Sequence, residues 1–291
     1  LRVNARRSTA DDYVHRLGEQ GRAAQALGAQ AVWLKQPCNV GELPGFAEGD
    51  VSVQDLSAQR AAPLLLEGLP SGARVLDACA APGGKTAHLL ELAALDLLAL
   101  DSDGQRLARV RDNLQRLHLM SAPQGPSTLA FAAGSAVAAA AEPSASHGSR
   151  VRLQAADARQ TATWWDGRPF DAILLDGPCT ASGIVRRHPD VRWLRRPEDV
   201  TALARTQAEL LEALWPLLAP GGRLLYATCS IFLAEGQQQI DAFLQRHGAD
   251  GPVLDPASPG HLPGLPDNRN PLVAAAPVTG DGFYYALIRK P

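Results

Sequence analysis

Two of the four cysteines stand where a thiol can act on a ligand. Cys179 lies in Asp176-Gly177-Pro178-Cys179-Thr180 and Cys229 in Thr228-Cys229-Ser230, each just past an apolar run that reads as a strand. Free cysteines are ordinarily small buried hydrophobes. Two of them just past strand ends, fifty residues apart and facing one ligand rim, can instead meet across a pocket. A third stretch supplies the ligand corner: Asp77-Ala78-Cys79-Ala80-Ala81-Pro82-Gly83-Gly84-Lys85-Thr86 follows the apolar Arg74-Val75-Leu76 and opens into Ala87–Leu92, whose leucines repeat at helical spacing. Strand, glycine turn and helix form the first βα unit of a doubly wound sheet, where a nucleotide-like ligand sits at the strand's carboxyl end. Gly83 and Gly84 allow close backbone approach, with free N–H groups at the helix start. A dinucleotide fingerprint needs GxGxxG, which does not occur in this turn, and a P-loop needs glycine where Cys79 stands. S-adenosylmethionine is the cofactor that remains.

A thiolate beside that cofactor has a specific use. Carbon 5 of cytosine is too weak a nucleophile to accept a methyl group unaided. Thiolate attack at carbon 6 converts the ring to an enamine-like nucleophile at carbon 5, and a base must then remove the carbon-5 proton so that the thiol departs. Asp176 is placed to stabilise the activated ring by hydrogen bonding or proton donation. Lys85 or nearby arginines can favour the thiolate. At this level either cysteine can be the nucleophile.

The elements that position these residues are legible in order. Leu1–Arg7 reads as a strand, Asp11–Leu17 as a helix capped by Thr9, Ala31–Leu34 as a strand, Val51–Val53 as an alternating segment and Ser57–Leu66 as a helix. The first 56 residues thus form a small α+β unit, and residues 57–291 a second domain whose first strand follows the turn Gly68–Gly72. Leu97–Leu100 ends in Asp101, 24 residues beyond Asp77, where a second-strand carboxylate holds a ribose hydroxyl. A helix over Gln105–Leu117 follows. Residues 121–149 are mostly Ala, Ser, Gly and Pro and read as a flexible low-complexity surface insertion, with a short helix possible over 136–141. The strand Val151–Ala155 ends at Asp157, which can accept from an adenine amino group. Phe170–Leu175 is a buried parallel strand that empties into Asp176. Arg186, Arg187, His188, Arg192, Arg195 and Arg196 surround Trp193 and suit phosphate clamping and base stacking. A helix over Val200–Leu218 stopped by Pro220-Gly221-Gly222, a strand over Arg223–Ala227, a helix over Gln237–Gln245 and a final strand over Gly282–Ile288 complete the alternation of an α/β layered sheet.

Composition excludes several classes. The net charge of −2 gives no global attraction to a polyanion, so local patches must carry nucleic-acid binding. The four cysteines form no CxxC pair and have no histidine at zinc spacing, which speaks for a reduced cytoplasmic chain without a structural metal or disulfides. No apolar run approaches the roughly 20 residues of a membrane span, and no signal peptide opens the chain. The chain starts at Leu1 rather than Met, as a fragment of a longer protein would.

The motifs 77–86, Leu175–Gly183 followed by Arg-Arg-His-Pro-Asp at 186–190, and Tyr-Ala-Thr-Cys-Ser at 226–230 together resemble the Nop/Sun family of RNA cytosine-5 methyltransferases, and within it the bacterial branch acting on 16S ribosomal RNA. The resemblance runs from Leu1 to the Gly282-Phe283-Tyr284 segment. It implies a Rossmann-like, S-adenosylmethionine-dependent methyltransferase sheet preceded by a small N-terminal α+β RNA-binding module. It further implies that Cys79, Ala80, Ala81, Pro82, Gly83, Gly84 and Lys85 bind S-adenosylmethionine together with Asp101, Asp157 and Asp176. Cys229 would be the nucleophile and Cys179 would assist release of the methylated base. The expected partner is 16S ribosomal RNA, handled by a monomer with neither metal nor membrane. A transfer RNA or 23S rRNA cytosine, or a catalytically silent RNA-binding assembly factor, are the competing readings. Three departures stand out: no NusB-like helical domain precedes Leu1 in these 291 residues, 121–149 is inserted, and Ala156-Asp157-Ala158 replaces a Gly-Asp-Gly type turn.

Overall fold

The computed structural model describes residues 1–120, 148–248, 251–264 and 280–291. The expected insertion over 121–149, and the helix considered within it, therefore fall almost wholly outside the described residues.

The N-terminal unit is built from β1 (Arg2–Val3), α1 (Ala10–Glu19), β2 (Ala24–Ala26), β3 (Val32–Leu34) and β4 (Val51–Ser52). Two antiparallel pairs, β1 with β4 and β2 with β3, pack on α1 around Val3, Tyr13, Leu17, Val32 and Val51. Thr9 caps α1 by accepting from the Asp12 N–H, as the sequence indicates. The strand expected over Leu1–Arg7 is only two residues long. Asn4 ends it: its side chain accepts from the Arg6 N–H and its carbonyl from the Arg7 and Ser8 N–H groups, folding the chain into a turn.

Next come α2 (Ala61–Leu66), β5 (Arg74–Asp77), α3 (Gly84–Leu92), β6 (Asp96–Asp101), α4 (Gly104–Arg116), β7 (Arg150–Ala155), β8 (Phe170–Asp176), α5 (Val191–Leu194), α6 (Pro197–Leu214), β9 (Leu218–Thr228), α7 (Gln237–His247), β10 (Val253–Leu254), β11 (Gly260–Leu262) and β12 (Phe283–Arg289). The sheet runs β7-β6-β5-β8-β9-β12, parallel from β7 to β9, with β12 antiparallel to β9 and the short β10 and β11 paired along β12. This is a Rossmann-like α/β sheet. Strand residues alternate between its faces. Val75, Leu97, Leu174 and Leu225 meet α2, α3 and α4, whereas Leu76, Leu98, Ile173 and Leu224 meet α6 and α7. Strand order reverses at β5/β8, so the crevice at their carboxyl ends is where such a sheet takes its ligand.

One helix boundary differs from expectation. The helix expected over Val200–Leu218 begins at Pro197, where the Asp199 carboxylate accepts from the Arg196 N–H, and ends at Leu214. Pro216 lies in the tight turn that follows and cannot continue the α-helical hydrogen bonds. Leu218 is already strand. Pro220-Gly221-Gly222 is then a bulge inside β9, where the register against β8 shifts between Phe170 and Ala172 and Gly221 takes φ +74°.

Arg2 fastens the N-terminal unit to the large sheet. Its guanidinium forks onto Glu91 of α3 at 3.0 and 2.7 Å and donates to the Gly84 carbonyl at 2.7 Å; both charged side chains are fully buried. Arg6 adds contacts to the carbonyls of Glu91 and Ala93, and Arg116 reaches back to those of Phe46 and Val51.

Candidate active site

The ends of β8 and β9 are paired, with Asp176 opposite Ala227. The chain leaves β8 through Gly177-Pro178 to Cys179 and leaves β9 directly into Cys229. The two sulfurs consequently stand 3.4 Å apart, both as free thiols and both partly buried. That is hydrogen-bond distance for sulfur, well beyond the ~2.05 Å of a disulfide.

Lys85 enters the same rim from the first turn of α3. Its Nζ donates to Asp176 Oδ2 at 2.7 Å and lies 5.3 Å from the centre of the Phe283 ring. Burial would lower the Lys85 pKa, but the Asp176 carboxylate more than offsets it and holds the amine above its usual value. The thiols are pushed apart electrostatically. A hydrogen bond from Cys179, aided by the Lys85 ammonium, holds Cys229 below the usual thiol range against burial and the Asp176 charge. Cys179, as the donor in that bond, is raised well above its usual value, with burial and the Cys229 charge adding to the shift. Cys79 is raised too, by burial and then by the carboxylates around it, so it remains an inert thiol.

The glycine turn is shaped as the sequence indicates. Gly83 adopts φ +96° at the start of α3, and a side chain there would press on Val110 of α4 at 3.1 Å. Asp101, almost fully buried at the end of β6, braces the turn: one carboxylate oxygen accepts from the Ala81 N–H at 3.1 Å and the other from the Asp103 N–H at 3.0 Å. Each oxygen retains a second lone pair for a ligand. Asp103, rather than Asp101, caps α4. Asp77 is buried beneath the turn, accepting from Thr86 Oγ1 at 2.7 Å through one oxygen while the other has no partner.

Burial, opposed by the Thr86 hydrogen bond and abetted by Asp176, raises the Asp77 carboxyl to about 7 from an ordinary 3.8. The folded state therefore binds more protons than the unfolded one between those values, and stability falls as pH rises through that window. Asp77→Asn keeps the acceptor for Thr86 and removes the titration. Its stability relative to the wild type should climb between pH 4 and 8, by no more than ~1.4 kcal/mol per pH unit. Urea denaturation across that range measures it, and a pH-independent difference would refute the buried titration.

The geometry has the cofactor corner and two thiols of a methyltransferase. The family model described as 16S rRNA methyltransferase RsmB/F matches residues 65–123 and 144–289, a span that includes the glycine turn and both cysteines. The chain belongs to this RsmB/F family. Among curated relatives, "Ribosomal RNA small subunit methyltransferase B" of Xanthomonas campestris pv. campestris is 48% identical, covering 100% of this chain and 59% of that protein. The protein of the same name from Xylella fastidiosa is 45% identical, covering 100% and 60%. The chain thus spans about three-fifths of the length of such relatives. A solved methyltransferase homolog protein from Pyrococcus horikoshii shares 26% identity at TM-score 0.70, covering 100% of this chain and 85% of that one. NSun6 from Pyrococcus horikoshii, solved with SFG, shares 26% at TM-score 0.63, covering 91% and 61%.

Within this RsmB/F chain the remaining expected residues scatter. Asp157 follows β7 beside the end of β6, where the Ala156 N–H donates to the Asp101 carbonyl at 3.0 Å; Arg159 forks its carboxylate at 3.0 and 2.7 Å, lowering its pKa, and both line a groove with Arg205, Glu209 and Arg246. Arg186 and Arg187 both bind buried Asp281, at 3.1 and 2.6 Å, and Arg195 donates to the Thr180 carbonyl at 2.9 Å. Half of that basic run therefore fastens the Cys179 loop. His188, Arg192, Trp193 and Arg196 are exposed, Trp193 to 78%. Sequence reasoning passed over Asp281, Gln207 and Glu235, isolated polar residues with no local pattern; contacts over 28, 29, 55 and 95 residues, with Ser230 a near partner of Glu235, give them a role. Among the described residues no cluster could hold a metal ion, and no helix is long and apolar enough to cross a membrane.

Proposed function

We propose that this chain methylates carbon 5 of a cytosine in 16S ribosomal RNA through a covalent bond between Cys229 and carbon 6. The observation that carries the reading is the pair of thiols 3.4 Å apart beside the Lys85–Asp176 ion pair, at the carboxyl rim of the sheet. The cofactor is S-adenosylmethionine. The corner fits it: a left-handed glycine opening a helix, a partnerless buried oxygen on Asp77, and carboxylates at the ends of successive strands that suit hydroxyls, an amine and a positive sulfonium. Cys79 to Lys85 would hold it with Asp101, Asp157 and Asp176, and it would supply an electrophilic methyl group.

Cys229, the thiol held low, attacks carbon 6 as the thiolate, and the electron pair of the 5,6 double bond shifts into the ring. Asp176 accepts from the Lys85 ammonium; by taking that proton it can donate to the ring nitrogen where charge accumulates. Carbon 5 would then take the methyl group, the electron pair of the broken carbon–sulfur bond staying on the cofactor sulfur as a neutral thioether. Bonding also consumes the Cys229 charge that held Cys179 up. Cys179 can then lose its proton to water and take the carbon-5 proton as general base. The C–H pair re-forms the double bond and expels the Cys229 thiolate, so no net oxidation occurs. His188, Arg192, Trp193 and Arg196 would grip phosphate and base, and residues 1–56 would bind RNA as a module. Both thiols must stay reduced, which suits the cytoplasm.

The test supplies the chain with methyl-labelled S-adenosylmethionine and 16S rRNA from a strain lacking the gene, then maps new 5-methylcytosine by bisulfite sequencing. One new site in 16S rRNA is the expected result. Label entering transfer RNA or 23S rRNA instead would move the substrate. Cofactor binding without transfer to any RNA would leave an assembly factor.

A further inference from the structure

Glu235 lies six residues past Cys229, on the turn Leu233–Glu235, and has no exposed surface. One carboxylate oxygen accepts from the Thr180 N–H at 2.9 Å and from Gln207 Nε2 at 3.3 Å. The other accepts from Thr180 Oγ1 at 2.5 Å and Ser230 Oγ at 2.6 Å. Thr180 follows Cys179 and Ser230 follows Cys229, so a single carboxylate holds the residue after each thiol. The residues before them are held by the same hub. The Glu235 carbonyl accepts from Thr228 Oγ1 at 3.1 Å and Tyr226 Oη at 2.8 Å, and Gln207 Nε2 donates to the Pro178 carbonyl at 2.8 Å. Every hydrogen-bond donor to this carboxylate is a neutral group. A buried carboxylate with no cationic partner is costly unless its hydrogen bonds are complete. A structural hub could be built more cheaply from an amide.

We propose that Glu235 is a positioning residue for methyl transfer, locking the loops after β8 and β9 so that the two thiols face each other at reacting distance. The inference rests on the reading of Cys229 as the nucleophile. The carboxylate's charge has a second effect: it adds to what raises the Cys179 thiol, keeping that sulfur the proton carrier. The other titratable groups facing the pair are Lys85 and Asp176 from the cofactor side, the Tyr226 phenol from the β9 side and the Tyr285 phenol from β12.

The test is Glu235→Gln, nearly isosteric but neutral. Four readouts are taken on the full chain. S-adenosylhomocysteine affinity and a cooperative melt should be retained, because the hub does not touch the glycine turn. Formation of the RNA adduct in a Cys179→Ser background should slow by roughly 10- to 100-fold, the scale of a misplaced reacting group. Iodoacetamide labelling followed by mass spectrometry, read against pH, should show the Cys229-over-Cys179 preference shrinking and Cys179 reacting at lower pH. Wild-type adduct rates with an unchanged labelling profile would reduce Glu235 to a structural bond and overturn the proposal. Should the amide fail to fold, Thr180→Val and Ser230→Ala each cut one arm, and unimpaired adduct formation in both would overturn it equally. The labelling readout needs no RNA. If Cys229→Ser itself transferred methyl groups, the nucleophile assignment would fall while the labelling result still judged Glu235.

Discussion

Cys229→Ser should abolish methyl transfer by at least roughly 10⁴-fold, whereas Cys179→Ser should leave RNA covalently attached to the protein. The asymmetry follows from the charge distribution across a 3.4 Å contact. Cys229 receives the hydrogen bond and lies under the influence of Lys85, so it supplies the thiolate. Cys179 gives that bond and holds its proton. A serine at 229 presents an alcohol whose deprotonation is far out of reach near neutral pH, and the first bond never forms. A serine at 179 leaves attack and methyl transfer intact but supplies no base for the carbon-5 proton, so the adduct persists. Denaturing gels of each variant with unmethylated rRNA distinguish the roles. A persistent adduct from Cys229→Ser, with none from Cys179→Ser, would exchange the two assignments.

The second large effect concerns stability. Glu91→Ala should cost about 3–5 kcal/mol, because it strands the Arg2 guanidinium in a fully buried site. Burial outweighs the pull of Arg2 and pushes the Glu91 carboxyl up, so the pair is held by geometry rather than by a favourable solvation balance. Removing one partner leaves the desolvation cost without its compensation. For a chain of this size the melting temperature should drop by roughly 10 °C. The double variant Arg2→Leu/Glu91→Leu removes both charges and should recover much of the loss. Thermal unfolding of the three proteins measures this, and a Glu91→Ala cost below about 1 kcal/mol would mean that water reaches Arg2. The pair matters to the site because Arg2 also holds the Gly84 carbonyl, at the first residue of α3.

What the chain determines by itself is local. Apolar strands, a glycine-rich turn that only a left-handed residue can make, and residues of chemical use just past strand ends are all encoded within windows of about ten residues, where periodicity and turn chemistry act. The parallel sheet then brings every such strand end to one rim, which is why Asp101, Asp157, Asp176, Cys179 and Cys229 read as a group. Distance across that rim is a different quantity. The 3.4 Å contact arises from the register of β8 against β9, and the bulge at Pro220–Gly222 belongs to that register. Arg186 and Arg187 read as free phosphate ligands until Asp281, 95 and 94 residues further on, is folded against them. Pro216 shortened α6 where helical periodicity alone ran on. Glu235 shows the divide most clearly: one acidic residue among small and apolar neighbours carries no signal in the chain, since its meaning lies in four donors from three separate segments that only folding assembles around it.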